Sequence, residues 1–319
     1  MYLSIVSLIG GFIYLLIGAD FLVRGAVALA RRARVPPIVV ALTVVALGTS
    51  LPELVVSVHA ALTGYPGIAL GNVVGSNIAN VLLVGGSAAI ISPLANPGGS
   101  IRRDTAVMML ASVVFLLFCL TGTLNRTVGL IFLVGLLAVM VPTVQDGVRA
   151  HYDSAGMAPM ELVLGLPAHR PVIFLLILIG LVFLPIGARL VVDAAVEIAR
   201  AVGISETVVG LTIIAFSTSL PELATTMVAA HRKETAVAIG TLVGSNTFNI
   251  LAIMGVAAVV APEAIAVPHL FPFLDLPVML AASLFITVLA WRGRALGRRA
   301  GIVLSCGYAA YVVALLVFQ

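Results

Sequence analysis

Residues 46–54 read Ala-Leu-Gly-Thr-Ser-Leu-Pro-Glu-Leu, and 169 positions later residues 215–223 read Ala-Phe-Ser-Thr-Ser-Leu-Pro-Glu-Leu. A second pair keeps the same offset: Gly-Asn-Val-Val-Gly-Ser-Asn-Ile-Ala-Asn at 71–80 and Gly-Thr-Leu-Val-Gly-Ser-Asn-Thr-Phe-Asn at 240–249. Gly18-Ala19 and Gly187-Ala188 extend the match, and no gap is needed from there to Gly86 and Gly255. Later segments still correspond with a shift of about three residues, so the chain is one unit written twice.

Each copy is made of apolar runs. The 319 residues are 61% hydrophobic and only 9% charged, whereas a soluble domain carries roughly 25% charge to stay solvated. Runs near the roughly 20 residues that cross a bilayer fall at about 3–29, 37–63, 67–91, 104–122, 127–146, 171–198, 206–230, 235–261, 273–291 and 300–318. Five spans per copy is an odd number, so the second copy enters the membrane from the opposite side. The expected fold is an all-α integral membrane protein of ten transmembrane helices in two inverted five-helix repeats. The repeats are 1–146 and 171–319, joined by a polar linker at 147–170 that holds Asp153, Glu161, Pro159 and Pro167. That linker is too short for a folded regulatory domain.

Orientation follows from the basic residues. Arg31, Arg32, Arg34, Arg102, Arg103, Arg149, Arg170, Arg232, Lys233, Arg292, Arg294, Arg298 and Arg299 fall in loops on one side, and only Arg126 and Arg200 on the other. Positive residues mark the cytoplasmic face, so a multi-pass protein of the cell (inner) membrane with both termini extracytoplasmic and a cytoplasmic linker is expected. The first span lacks an A-x-A cleavage site and reads as a retained helix rather than a signal peptide. Cys119 and Cys306 lie in apolar spans and suggest packing. The net charge of +4 needs no nucleic acid partner, since loop arginines account for it. No protein partner is legible, and a monomer is the working expectation.

Among the acidic residues, Glu53 and Glu222 stand apart, because each is in the interior of an apolar span at matching repeat positions. A charge at the bilayer centre costs at least ~2.5–3.5 kcal/mol. No lysine or arginine at equivalent depth in these helices offsets it, which points to a bound cation, or to a proton when the site is empty. Pro52 and Pro221 have no N–H, so the carbonyls of Gly48 and Ser217 lose their helical donors. Breaks are expected in the second, third, seventh and eighth helices, the prolines placing two of them at Thr49-Ser50 and Thr218-Ser219. Unpaired backbone at membrane depth persists only where it lines a cavity or binds something. Carbonyls, hydroxyls and carboxylates together make a hard, all-oxygen ligand set of the kind calcium and sodium prefer.

Asn72, Ser76 and Asn80 share a helical face in the third span, and Thr241, Ser245 and Asn249 repeat it in the eighth. Ser50, Glu53 and Ser57 share a face, as do Ser219, Glu222 and Thr226. Alone, such stripes are more often helix packing, aided by Gly71, Gly75, Gly240 and Gly244. Asn77 and Asn246 lie beside the stripe as candidates for satisfying backbone, and His59 is expected to be a packed or outward-facing side chain rather than a ligand. Asp20 and Arg24 match Arg189 and Asp193 with signs exchanged; the i, i+4 spacing favours intrahelical pairs, and the exchange would also permit pairing between the first and sixth helices.

The segments Gly48–Asn80 and Ser217–Asn249 resemble the alpha repeats of the calcium/cation antiporter superfamily, sodium/calcium exchanger branch, in a minimal prokaryotic form. The resemblance covers nearly the whole chain. It implies that helices one and six slide past a static eight-helix core, with Na⁺ and Ca²⁺ as competing transported ions and no cofactor. It implies that Glu53 and Glu222 ligate Ca²⁺ with the backbone carbonyls of Thr49 and Thr218. Ser50, Ser76, Ser219 and Ser245 would join Na⁺ sites, and Asn80 and Asn249 would line the centre. Potassium-dependent relatives carry an acid where Asn249 stands, and proton/calcium exchangers a glutamate where Gly75 and Gly244 stand, so the expected activity is Na⁺/Ca²⁺ antiport and not an enzymatic one. Alternatives are an H⁺/Ca²⁺ or other divalent cation exchanger, a cation channel, or an intramembrane hydrolase that would leave the hydroxyl stripes unexplained.

Overall fold

A helix that is apolar on every face must be covered by other helices or by lipid, and the division between the two sets the architecture. The computed structural model describes residues 2–95, 99–153, 169–201, 218–268 and 271–318, which are almost wholly helical. The first half holds α1 (Tyr2–Ala33), α2 (Pro37–Thr49), α3 (Leu51–Leu62), α4 (Pro66–Ile91), α5 (Gly99–Cys119) and α6 (Arg126–Asp153). The second holds α7 (Arg170–Ala201), α8 (Leu220–His231), α9 (Thr235–Val260), α10 (Asp275–Trp291) and α11 (Arg298–Phe318). A short antiparallel ladder, β1 (Thr123–Leu124) against β2 (Ile265–Ala266), ties the α5–α6 turn to the segment after α9.

Among the described residues five helices are long and apolar enough to cross a membrane, and α2 with α3 adds a bent sixth. In the most apolar window of α1, α6 and α7 only 28%, 22% and 33% of residues are buried, against 72% in α4 and 78% in α9. The polar-striped helices α4 and α9 are therefore the core. The others turn side chains such as Phe12, Leu137 and Phe174 outward, as lipid contact requires.

The break expected in the second helix is present. The chain turns by 46° between α2 and α3, at Ser50 with φ −85° and ψ 6°. Pro52 follows in the first turn of α3, where a missing N–H costs nothing. Ser219, with φ −84° and ψ 2°, repeats the arrangement before Pro221. Ser217 and the rest of 202–217 lie outside the described residues. The breaks expected in the third and eighth helices are corrected: α4 and α9 run through unbroken. No proline follows Pro66 in either, so no backbone donor is lost. Each instead widens into a π-helical stretch, Asn80–Gly85 and Asn249–Met254. The fifth span also outruns its expected end, since α6 continues to Asp153; residues 154–168 of the linker are not among the described ones.

The offset of 169 holds in three dimensions. It carries α3 onto α8, α4 onto α9 and one π-helical stretch onto the other, end to end. Backbones meet at glycines where a side chain would not fit. A Cβ on Gly11 would stand 2.9 Å from the Gly187 carbonyl oxygen, and one on Gly180 2.8 Å from that of Gly18. Numbers rise along α1 as they fall along α7, so these two helices pack antiparallel. Gly86 meets Gly301 and Gly129 meets Gly255 in the same reciprocal way, with carbonyl oxygens 2.9 and 2.7 Å from the added Cβ. Gly240 and Gly244 rest on Ala41 and Ala46 of α2, which brings the first half against the second.

The charged pairs follow the intrahelical expectation. Arg24 Nη1 is 3.6 Å from Asp20 Oδ2, and Arg189 Nε is 3.6 Å from Asp193 Oδ2. Asp20 takes a second guanidinium from Arg232, one residue past α8.

Candidate cation site

The site is built where the first turns of α3 and α8 meet the two core helices. Ser50-Leu51-Pro52-Glu53 and Ser219-Leu220-Pro221-Glu222 have the S-x-x-E spelling of a capping box, in which the serine would bond its own helix. Neither serine does so. Ser50 Oγ donates instead to Glu222 Oε1 in the other repeat, at 3.1 Å. Glu53 and Glu222 are only 2% and 1% exposed, although each carries a carboxyl group. Both stand in the first turn of a helix, where the backbone dipole favours negative charge. Glu222 is close enough for its charge to act on Glu53.

Asn72 joins the elements around Glu53. Its Nδ2 donates to Ser57 Oγ at 2.9 Å and to the Glu53 carbonyl at 3.3 Å, and its Oδ1 accepts from Thr218 Oγ1 at 3.3 Å. Asn80 Nδ2 donates to Asn246 Oδ1 at 3.0 Å, and Asn246 Nδ2 to the Asn77 carbonyl at 3.3 Å, which couples α4 to α9. Asn77 satisfies its own helix through the Val73 carbonyl. The hydroxyls of Thr49 and Ser245 stand near the Glu222 carboxyl. Thr49 bonds the Ala46 carbonyl at 3.4 Å. His59 is exposed and takes no part, as expected.

Seven buried oxygens of the residues expected to hold or line the ions then have no hydrogen-bond partner among the described residues: Glu53 Oε2, Glu222 Oε2, Ser76 Oγ, Ser219 Oγ, Ser245 Oγ, Asn80 Oδ1 and Asn249 Oδ1. Leaving one buried polar group unpaired costs about 1–3 kcal/mol, and more for a charge. Such a concentration is stable when something positive is shared among the oxygens. Its chemistry is selective, because no group of three or more His, Cys, Asp or Glu occurs among the described residues. Neutral oxygens around two carboxylates suit a hard cation without slow dehydration chemistry, and not a soft transition metal.

Sequence patterns located every one of these residues, yet they did not single out Asn72 or show that Asn80 and Asn249 open the two π-helical stretches. Such stretches frequently mark functional positions. The available signal was Asn72 standing where the other repeat has Thr241, the one position of the Asn72/Ser76/Asn80 stripe where the repeats carry different side chains.

Comparison with known proteins decides the family. The sodium/calcium exchanger protein family profile matches residues 3–143 and 172–317. This chain is a member of that family. Inner membrane protein YrbG of Escherichia coli K12 is 36% identical over 318 residues, covering 99% of this chain and 97% of its own. Putative antiporter CaxA of Alkalimonas amylolytica is 35% identical, covering 98% of each chain. Sodium/calcium exchanger MaX1 of Methanosarcina acetivorans is 31% identical over 341 residues, covering 96% of both. Among solved structures, the sodium-calcium exchanger NCX_Mj soaked with zero Na⁺ and Ca²⁺ superposes with a TM-score of 0.83 at 29% identity, covering 100% of this chain and 99% of its own. The exchanger fold and a multi-pass membrane placement follow for this member of the family.

Proposed function

We propose that this chain exchanges Na⁺ for Ca²⁺ by alternating access at a midplane site between two inverted repeats. The observation that carries the reading is the set of seven buried, unpartnered oxygens, which includes one oxygen of each carboxylate. In this reading ten transmembrane helices divide into repeats 1–146 and 171–319 with a cytoplasmic linker at 147–170. The antiparallel packing of α1 on its repeat-mate α7 supports the inversion. Inverted repeats in secondary transporters place the substrate at their interface. Both termini face away from the cytoplasm, and the membrane is the inner one, as the printed name of YrbG suggests for that relative.

Ca²⁺ would be held by Glu53 and Glu222 with the carbonyls of Thr49 and Thr218. Na⁺ would take the hydroxyls of Ser50, Ser76, Ser219 and Ser245, with Asn80 and Asn249 lining the centre. Two carboxylates match one Ca²⁺. If three Na⁺ replace it, a net positive charge crosses per cycle, worth ~2.3 kcal/mol per 100 mV. The test is Ca²⁺ uptake into proteoliposomes driven by an outward Na⁺ gradient, with membrane potential clamped at two values. Uptake that follows Na⁺ and shifts with potential supports electrogenic exchange. Uptake that ignores Na⁺ and follows pH replaces it with H⁺/Ca²⁺ exchange, and flux without saturation or counter-ion replaces it with a channel.

A further inference from the structure

The repeats also match through their last two helices, away from the central site. At an offset of 171, Asp104, Val107, Met108, Ala111 and Ser112 of α5 correspond to Asp275, Val278, Met279, Ala282 and Ser283 of α10. At an offset of 172, Gly129 and Gly135 of α6 correspond to Gly301 and Gly307 of α11, so Val139 holds the position that Tyr311 holds in the other repeat. The two acids nevertheless have different surroundings. Asp275 is 4% exposed and accepts a hydrogen bond from the Tyr311 hydroxyl at 2.6 Å. Val139 has no hydroxyl to give, and among the described residues no donor hydrogen-bonds to Asp104 in its place. Arg103 acts on Asp104 through space, but its guanidinium is paired with Asp146. Asp104 and Val139 instead line a small cavity with Leu42 of α2, Thr143 of α6, and Gly244 and Thr247 of α9.

The cavity is furnished with acceptors. Thr143 Oγ1 donates to the Val139 carbonyl at 2.8 Å, and Thr247 Oγ1 to the Val243 carbonyl at 2.9 Å. Each hydroxyl hydrogen is spent within its own helix, so both threonines have only lone pairs left to offer. A half-buried carboxylate beside two such oxygens gains from a positive charge brought among them. We propose that Asp104, Thr143 and Thr247 hold one monovalent hard cation of the Na⁺ class, at a second site apart from the central one. Charge sets the valence: Arg103 and Asp146 offset each other, so Asp104 supplies one uncompensated negative charge. Space sets the number, because the volume open to the centre of a water-sized body is about 10 Å³, room for one such body. Oxygen ligands without sulfur or imidazole suit a hard ion. The cavity lies behind α9. Ser245 and Asn249 are four residues apart and share the face of the central set, whereas Thr247 stands two residues from each, on the opposite face. In the proposed orientation Asp104 is near the cytoplasmic end of α5, so the ion enters from that side and stays without being carried across. The inference does not depend on which ions the central site exchanges.

The experiment uses the purified full chain in detergent with Glu53→Gln and Glu222→Gln both present, so that the central carboxylates no longer attract Na⁺. Na⁺ is titrated against N-methyl-D-glucamine at constant ionic strength while the melting temperature is read. A saturable Na⁺-dependent rise is expected, and Asp104→Asn in the same background abolishes it. Val139→Tyr copies the second repeat and offers Asp104 the hydroxyl that Asp275 receives from Tyr311, so it abolishes the rise with Asp104 intact. Crystals of the unaltered protein soaked in Tl⁺ should show an anomalous peak among Asp104, Thr143 and Thr247, a measurement that needs no variant to fold. Absence of any Na⁺ response in the background, a response that survives Asp104→Asn, or no Tl⁺ peak at the cavity would each overturn the proposal. A melt that follows pH rather than Na⁺, and ceases to do so in Asp104→Asn, overturns it in favour of a carboxyl group that keeps its proton. If the unaltered protein shows no Na⁺-driven Ca²⁺ uptake, the exchange reading fails, and the Na⁺ melts and the Tl⁺ peak still decide this site.

Discussion

Ser50 and Glu222 belong to different repeats, yet the serine hydroxyl donates to the glutamate across 3.1 Å. Among the described residues its repeat-mate Ser219 has no partner for its hydroxyl. Two positions identical in sequence therefore do different things in this conformation. Ser50→Ala should destabilise the ion-free protein by about 1 kcal/mol, because it leaves a buried carboxylate oxygen unpaired. Ser219→Ala removes no protein contact and should leave the ion-free melting temperature close to that of the unaltered protein. Both should raise half-saturating Na⁺. Calorimetry or a thermofluor melt in Na⁺-free, Ca²⁺-free detergent checks the first statement, and flux assays check the second.

Replacing either acid with its amide tests the centre of the site. Glu53→Gln and Glu222→Gln are near-isosteric, so the fold should survive, and removing one of two neighbouring buried charges relieves repulsion when no ion is bound. Each variant should lose Ca²⁺ exchange altogether while melting no lower than the unaltered protein without ions. Ca²⁺ should no longer raise its melting temperature. Near-normal flux in either variant would remove that glutamate from the site.

Much of this was legible because the physics is local and written twice. Pro52 and Pro221 deny a backbone donor wherever they stand, so the break at Ser50 and the start of α8 after Ser219 follow from sequence. A glutamate inside an apolar run must be buried among polar groups, and Glu53 and Glu222 are. What sequence left unresolved depends on three-dimensional register. Nothing in Asn80 or Asn249 announces a π-helical stretch rather than a break. Whether Ser50 caps its own helix or crosses to Glu222 is decided by how closely α8 approaches. Asp20 has a partner four residues along and another, Arg232, that is 212 residues away, and only the first can be read from spacing.

That distant pair gives a contrast between buried and exposed charges. Asp20 is held by Arg24 and Arg232 with side chains about a quarter to two-fifths exposed, 27% for the acid and 40% for Arg232. Arg189 and Asp193 are 85% and 67% exposed. Asp193→Ala should change stability by no more than about 0.5 kcal/mol. Asp20→Asn removes the link between α1 and the end of α8 and should change the exchange rate several-fold without altering half-saturating Ca²⁺. Reversing the pair, Asp20→Arg with Arg232→Asp, should recover part of the rate. Identical rates in Asp20→Asn and the unaltered protein would show that the link does not restrain α1.

Glu234, between α8 and α9, supplies a pH dependence outside the membrane. Burial raises its carboxyl above the ordinary glutamate range, and Arg31 and Arg232 partly oppose this. The folded protein therefore holds the proton to higher pH than the unfolded chain does. Stability from this group is present at low pH and falls as pH rises from the unfolded value of about 4.5 toward the raised folded one. Glu234→Gln should flatten that part of the stability curve, as melts between mildly acid and neutral pH would reveal. An unchanged slope would assign the dependence to other groups.

Asn249 is the position where an added charge is most informative. Both atoms of its amide are buried and unpartnered, and it begins the π-helical stretch of α9. Asn249→Asp places a third carboxylate in the set that already holds Glu53 and Glu222. Without ions the three like charges repel in a poorly solvated space, so the melting temperature should fall. With Ca²⁺ bound, the added oxygen charge strengthens attraction to the ion, so the Ca²⁺-induced rise in melting temperature should exceed that of the unaltered protein. A larger affinity for the ion slows its release, and the maximal exchange rate should drop by at least about fivefold as half-saturating Ca²⁺ falls. If the substitution leaves both the ion-free melt and the Ca²⁺ response unchanged, Asn249 does not line the site, and the proposed centre contracts to the two glutamates and their serines.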